Sequence, residues 1–159
     1  MRSGQQGFTY VVLLISVAVI GVGLAAKGIE WDRSAQRAKE ADLLFVGHEF
    51  RRAIALYYYR SPGPAQEYPR SLEDLLEDRR YPGTQRYLRR IYPDPMTGRP
   101  EWGLVTAGGR IVGVHSLSDA QPIKTGNFAS ANAELAGKGS YRDWQFNFVP
   151  VMTPSSGRP

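Results

Sequence analysis

Apolar residues are spread very unevenly along this 159-residue chain. Residues 8–26 read FTYVVLLISVAVIGVGLAA, nineteen positions without one charge. As a helix this run is about 28 Å long, close to the hydrocarbon thickness of a bilayer. Arg2 precedes it and Lys27 follows it, and a basic leader holds the N-terminus on the cytoplasmic side while the rest crosses. Two other readings compete with a retained membrane helix. A cleavable secretory signal has a shorter apolar core of about 7–15 residues, although Gly23-Leu24-Ala25 and Ala25-Ala26-Lys27 imitate its cleavage site. A buried core helix is the third, and nineteen uncharged residues in a basic chain speak against it.

After Gly28 the pattern changes without a turn signal. Residues 29–59 hold no Pro and one Gly, and they mix good helix formers. Ala35, Ala38, Leu43, Val46, Phe50, Ile54 and Tyr57 recur at helical spacing, which predicts one buried face. Arg33, Arg37, Glu40, Arg51 and Arg52 lie between them and read as solvated, and Glu49 has only Ala53 four residues on. Ser61-Pro62-Gly63-Pro64 ends the helix. The spacing thus predicts a helix over residues 8–60, about 50 residues long, with Gly21, Gly23 and Gly28 as sites for a break.

Shorter elements follow. Ser71 is placed to cap a helix through Leu72, Leu75 and Leu76, with Asp74 as its capping-box partner. The carboxylates Glu73, Asp74, Glu77 and Asp78 read as a solvated face, with a cation cluster as the alternative. Pro93-Asp94-Pro95 and Gly98 predict a tight loop. Ala107-Gly108-Gly109 predicts a hairpin turn between strands at 102–106 and 110–116. Residues 120–140 read as a surface loop with one helical turn near 129–135. Trp144, Phe146 and Phe148 alternate with polar residues and share one face of a strand. Residues 150–159 read as a mobile tail.

At its N-terminus the chain resembles a known class. The leader MRSGQQG ends in Gly7 and runs straight into Phe8-Thr9. The junction QQG/FTYVVLLISVAVIGV resembles those of type IV pilins and of type II secretion pseudopilins. YPRSLEDLL, YPDPMTGRPEWGLV and GGRIVGVHSLSD resemble the succession of head segments in the major-pseudopilin group. The resemblance implies cleavage between Gly7 and Phe8 by a prepilin peptidase, methylation of the new amino group, and an anchor that stays in place. It implies an α+β, pilin-like fold in which a long N-terminal helix packs on a small antiparallel sheet. The expected divisions are a leader (1–7), a membrane or filament-core helix (8–27), its amphipathic continuation (28–60), a head (61–149) and the tail. Phe8, Val12, Leu13, Leu14, Ile15, Val19 and Ile20 are implied to mediate anchoring and assembly. The implied partners are other pseudopilins or pilins, an inner-membrane assembly platform and the peptidase. The implied location is the bacterial inner membrane, single-pass, with the N-terminus cytoplasmic and the head periplasmic. Val12 departs from the class, whose members usually carry Glu at that position, where a carboxylate is thought to meet a neighbour's amine.

Composition sharpens this picture. The chain has 20 Lys and Arg against 15 Asp and Glu, and no cysteine, which excludes disulfides and thiolate metal sites. A mean hydropathy of -0.36 excludes a multi-spanning protein. His48 and His115 are the only histidines, too few for a multi-histidine zinc site. No catalytic constellation is recognisable, so no enzyme is expected: His115 and Ser116 are adjacent strand residues, which point to opposite faces. No cofactor is expected either, except that major pseudopilins carry calcium in a loop after the sheet. Asp119 is the only acid in the matching residues 117–121, and hard cations favour several carboxylates. Arg79, Arg80, Arg86, Arg89 and Arg90 cluster with Tyr81 and Tyr87. Such a patch suits an anion or a partner: DNA, as in a minor pilin with a DNA-binding or adhesion role, or acidic faces of neighbouring subunits such as Glu73, Glu77 and Asp78. The second is favoured, and nucleic acid is not expected as a partner. A membrane-tethered enzyme would need a deep polar pocket that no motif announces.

Overall fold

The computed structural model describes the backbone of residues 5–150, with side chains except at 5–7, 9 and 20–31. The chain is α+β. Helix α1 spans Gln5–Tyr59, and a three-stranded antiparallel sheet follows in the order β1-β2-β3: Gly103–Ala107, Arg110–His115 and Gln145–Asn147. Backbone assignment continues through Gly21, Gly23 and Gly28 without a break, and it begins three residues ahead of Phe8. The chain divides into two compact units, Met1–Ala38 and Lys39–Pro159. Ile20 and the second part of the uncharged run fall among the undescribed side chains, and residues 1–4 of the leader and 151–159 of the tail lie outside the described residues. Among the described residues no helix is long and apolar enough to cross a membrane.

In the second unit the 3.6-residue period of α1 builds the core. Leu43, Val46, Phe50, Ala53, Ile54 and Tyr57 are buried along one face, and they share a cluster with Ile111, Val114, Trp144 and Phe146. Phe50 meets Trp102 edge-on with ring centroids 5.1 Å apart. Two members of the predicted stripe do not belong to it: Ala35 and Ala38 are exposed. They lie before Lys39, where the compact unit begins. Glu40, expected to be solvated, is 3% exposed, because its carboxylate accepts from the backbone amides of Ile123 (2.5 Å) and Lys124 (3.2 Å) and from the Tyr141 hydroxyl (2.8 Å). Arg51 is likewise drawn in, donating to the Ala131 carbonyl (2.6 Å) and to Asn132 Oδ1 (2.8 Å). Arg52 forms a loose exposed pair with Glu49 at 3.8 Å.

The hairpin turns through Gly108 (φ +57°) and Gly109 (φ +74°). Both positive angles suit the mirror-image turn that matches strand twist and favours glycine. The register shifts between Val105 and Thr106, leaving Val112 as the extra residue of β2. The bulge moves Ile111 and Val114 onto the same buried side although they are three apart. Val112 then offers its carbonyl to the amide of Phe148 at 2.8 Å. Trp144 and Phe146 are fully buried and Phe148 half-buried, but of the three only Phe146 lies within the strand, Trp144 preceding it and Phe148 following it. The turn expected near 129–135 is a 3-10 helix, Ser130–Leu135.

Gly47 is the close-approach point between α1 and the sheet. A Cβ there would run into the Phe146 ring. Alanine normally gains about 1 kcal/mol over glycine inside a helix. At this position overpacking outweighs that gain, and Gly47→Ala is expected to destabilise the protein by about 2 kcal/mol in urea denaturation. A stabilised variant would show that the ring moves freely.

Candidate functional site

The first unit presents an apolar surface. Phe8, Val12, Leu13, Leu14, Ile15 and Val19 are all exposed, from 45% at Val12 to 73% at Phe8. Residues 11–15 are consecutive, and at about 100° each they pass more than once round the helix, so no polar face interrupts the band. Within it the Ser16 hydroxyl donates to the Val12 carbonyl at 2.8 Å. Gly7 and Ile20 belong to the same helix, with side-chain positions outside the described residues.

The basic segment is carried by a different device. The expected short helix contracts to a 3-10 turn, Glu73–Leu75, and Ser71 does not cap it. The contact runs the other way: Asp74 Oδ2 accepts from the amides of Arg70 (2.9 Å) and Ser71 (3.0 Å). The Leu75 carbonyl then receives the amides of both Tyr87 and Leu88 at 2.9 Å, and Leu88 inserts into the core. Arg79, Arg86, Arg89 and Arg90 are thereby held exposed.

Arg80 does not join them. Its guanidinium grips Asp78 through two bonds of 2.8 and 2.7 Å, donates to Ser61 Oγ and the Tyr57 carbonyl, and stacks 3.5 Å above the Tyr57 ring. Asp78 is 2% exposed, so it is not available on the acidic face where it was expected. Burial pushes the Asp78 carboxyl up, but hydrogen bonds from Arg80 and Tyr87 outweigh it and hold the group below the usual carboxylate range. Burial and the hydrogen bond to Asp78 push Tyr87 up to about 12.

The two shifts act at opposite ends of the pH scale. The depressed Asp78 contributes stability above the ordinary carboxylate range, and loses it as pH falls through its folded value. The raised Tyr87 contributes fully below pH about 10 and loses it as pH rises through about 12. In an ultraviolet titration Tyr87 is expected to ionise after ordinary tyrosines. Asp78→Asn should bring that late step part of the way down, leaving the share that burial contributes, and an unchanged late step would remove Asp78 from its causes.

Asp94 is a polar hub that sequence reasoning missed. It is fully buried, and its carboxylate accepts from the Ser116 hydroxyl (2.7 Å), Thr97 hydroxyl (3.2 Å), Met96 amide (2.9 Å) and Leu117 amide (3.3 Å). The flanking prolines signalled the loop but not its tie to Ser116. Asp119, the calcium candidate, has both oxygens engaged by Arg142 at 2.6 and 3.1 Å. Among the described residues no group of three or more His, Cys, Asp or Glu is arranged to hold a metal. His48 is exposed. His115 Nδ1 lies 2.8 Å from the Ser116 carbonyl oxygen, so the imidazole and the Ser116 hydroxyl turn to different partners. No family model matches this chain, and no curated protein or solved structure matches it either.

Proposed function

We propose that this chain is a pilin-like subunit, a pseudopilin of a type II secretion-like periplasmic filament, anchored in the inner membrane and processed before Phe8. The observation that carries the reading is the exposed apolar band of Phe8, residues 10–15, Val17 and Val19, which over residues 11–15 faces every side of α1. A helix that is hydrophobic all round belongs in lipid or among other helices. The second unit has a core of its own, built from residues at or after Leu43. The work of such a subunit is mechanical: bands pack side by side in a filament, and heads touch laterally.

The test is the mass of the mature N-terminus with and without a prepilin peptidase. The expected product begins at Phe8 and carries a methyl group only when the peptidase is present. A product that begins at Lys27 would overturn the reading, because it discards the band.

A further inference from the structure

The exposed arginines pose a question that the filament reading leaves open. Residues 79–93 contain no acid, and Arg79, Arg86, Arg89 and Arg90 form no ion pair among the described residues, whereas Arg51, Arg52, Arg80, Arg110 and Arg142 each do. Immediately before this strap, on the ledge formed by Glu73–Leu75 and the next turn, the exposed Glu73 and Glu77 likewise form no ion pair among the described residues. Arg79 and these two glutamates line one open depression. Strap and ledge are fastened to each other through the Leu75 carbonyl, so two surfaces of opposite sign stand side by side without forming an ion pair among the described residues.

We propose that the strap of one copy docks on the Glu73/Glu77 ledge of a second copy of this chain. The inference rests on the filament reading only for the presence of that second copy. Each such interface sets a strap on a ledge; a two-fold contact does this twice over, whereas a head-to-tail contact does it once and leaves a strap and a ledge free at its ends. Contacts of that kind propagate instead of closing. Charge complementarity of this sort selects partner and register. The same details argue against nucleic acid. Glu73 and Glu77 would repel phosphates, and the tyrosines that bases would stack on are tied inward, Tyr87 to Asp78 at 3.0 Å and Tyr81 to the Arg60 carbonyl.

The absence of cysteine makes the test clean. Full-length Arg89→Cys and Glu77→Cys chains are mixed in detergent micelles and oxidised. The expected result is a cross-linked pair in the mixture, well above either variant alone. In chains without added cysteine, Arg86→Glu/Arg89→Glu/Arg90→Glu and Glu73→Arg/Glu77→Arg should each weaken self-association by about tenfold. Mixing the two reversed chains should restore it, and salt should weaken the contact of the original chain. Self-association indifferent to both reversals would overturn the proposal, as would cross-linking that is strongest in Arg89→Cys alone. Binding of a single-stranded oligonucleotide that is lost on strap reversal, with self-association unchanged by ledge reversal, would overturn it in favour of nucleic acid. The cross-link registers whether or not Phe8 is the mature first residue, so the N-terminal mass tests the filament reading separately.

Discussion

Lysine at both Leu14 and Val17 is expected to move the chain, if anchored as proposed through its apolar band, from the washed membrane fraction into the soluble one. Both positions lie in the exposed band, at 51% and 61% exposure. A lysine near the middle of a membrane helix costs about 3 kcal/mol on the insertion scale. Two together cost about 6 kcal/mol, more than a ten-thousandfold shift in partition. Lysine at Gln66, on the exposed stretch after α1, is the control and leaves partition unchanged. A doubly substituted chain that still sediments with membranes would show that the band is not the anchor.

Asp94→Ala is expected to be the most damaging single change in the second unit. It removes four hydrogen bonds at a fully buried carboxylate and leaves the Ser116 hydroxyl, itself fully buried, with no acceptor for its proton, although it still accepts from the Ser118 amide. Each buried group left without a partner costs about 1–3 kcal/mol, so the loss comes to about 4 kcal/mol. For a domain of this size that lowers Tm by about 15 °C. Asp94→Asn keeps the shape and part of the accepting capacity, and should lose about half as much. Tryptophan fluorescence reports the change directly, because Trp102 Nε1 donates to the Tyr92 carbonyl (2.7 Å) beside this loop. A Tm within a degree or two of the original would remove Asp94 from its central place.

The helix and the hairpin were legible in the sequence because their signals are local. Period 3.6 placed Leu43, Val46, Phe50, Ile54 and Tyr57 on the buried face, and Gly108-Gly109 marked the turn. Periodicity names a face but not the point where burial begins, so Ala35 and Ala38 were carried into a core that starts at Glu40. The buried acids were hidden for a different reason. Glu40 is satisfied by residues 83 to 101 positions away, and Asp94 by Ser116, 22 positions away. Nothing in a window of ten residues distinguishes such a carboxylate from a solvated one. Asp78 and Arg80 are only two apart, yet their pairing depends on Tyr57 and Ser61 to close the site. Of the five arginines in the basic cluster four are exposed, and the fifth, Arg80, turns inward for that reason.

The hydrogen bond from Ser16 to the Val12 carbonyl has a consequence for how the apolar band is addressed. A serine in a hydrocarbon setting ordinarily seeks a partner on a neighbouring helix and so marks one side as preferred. Spent on its own backbone one turn earlier, it marks none. Over residues 11–15 the band then resembles a smooth axle more than a key, with apolar side chains exposed at every angle of rotation. In an assembly of the proposed kind its angular position would be set beyond that stretch, by features that do have a front and a back.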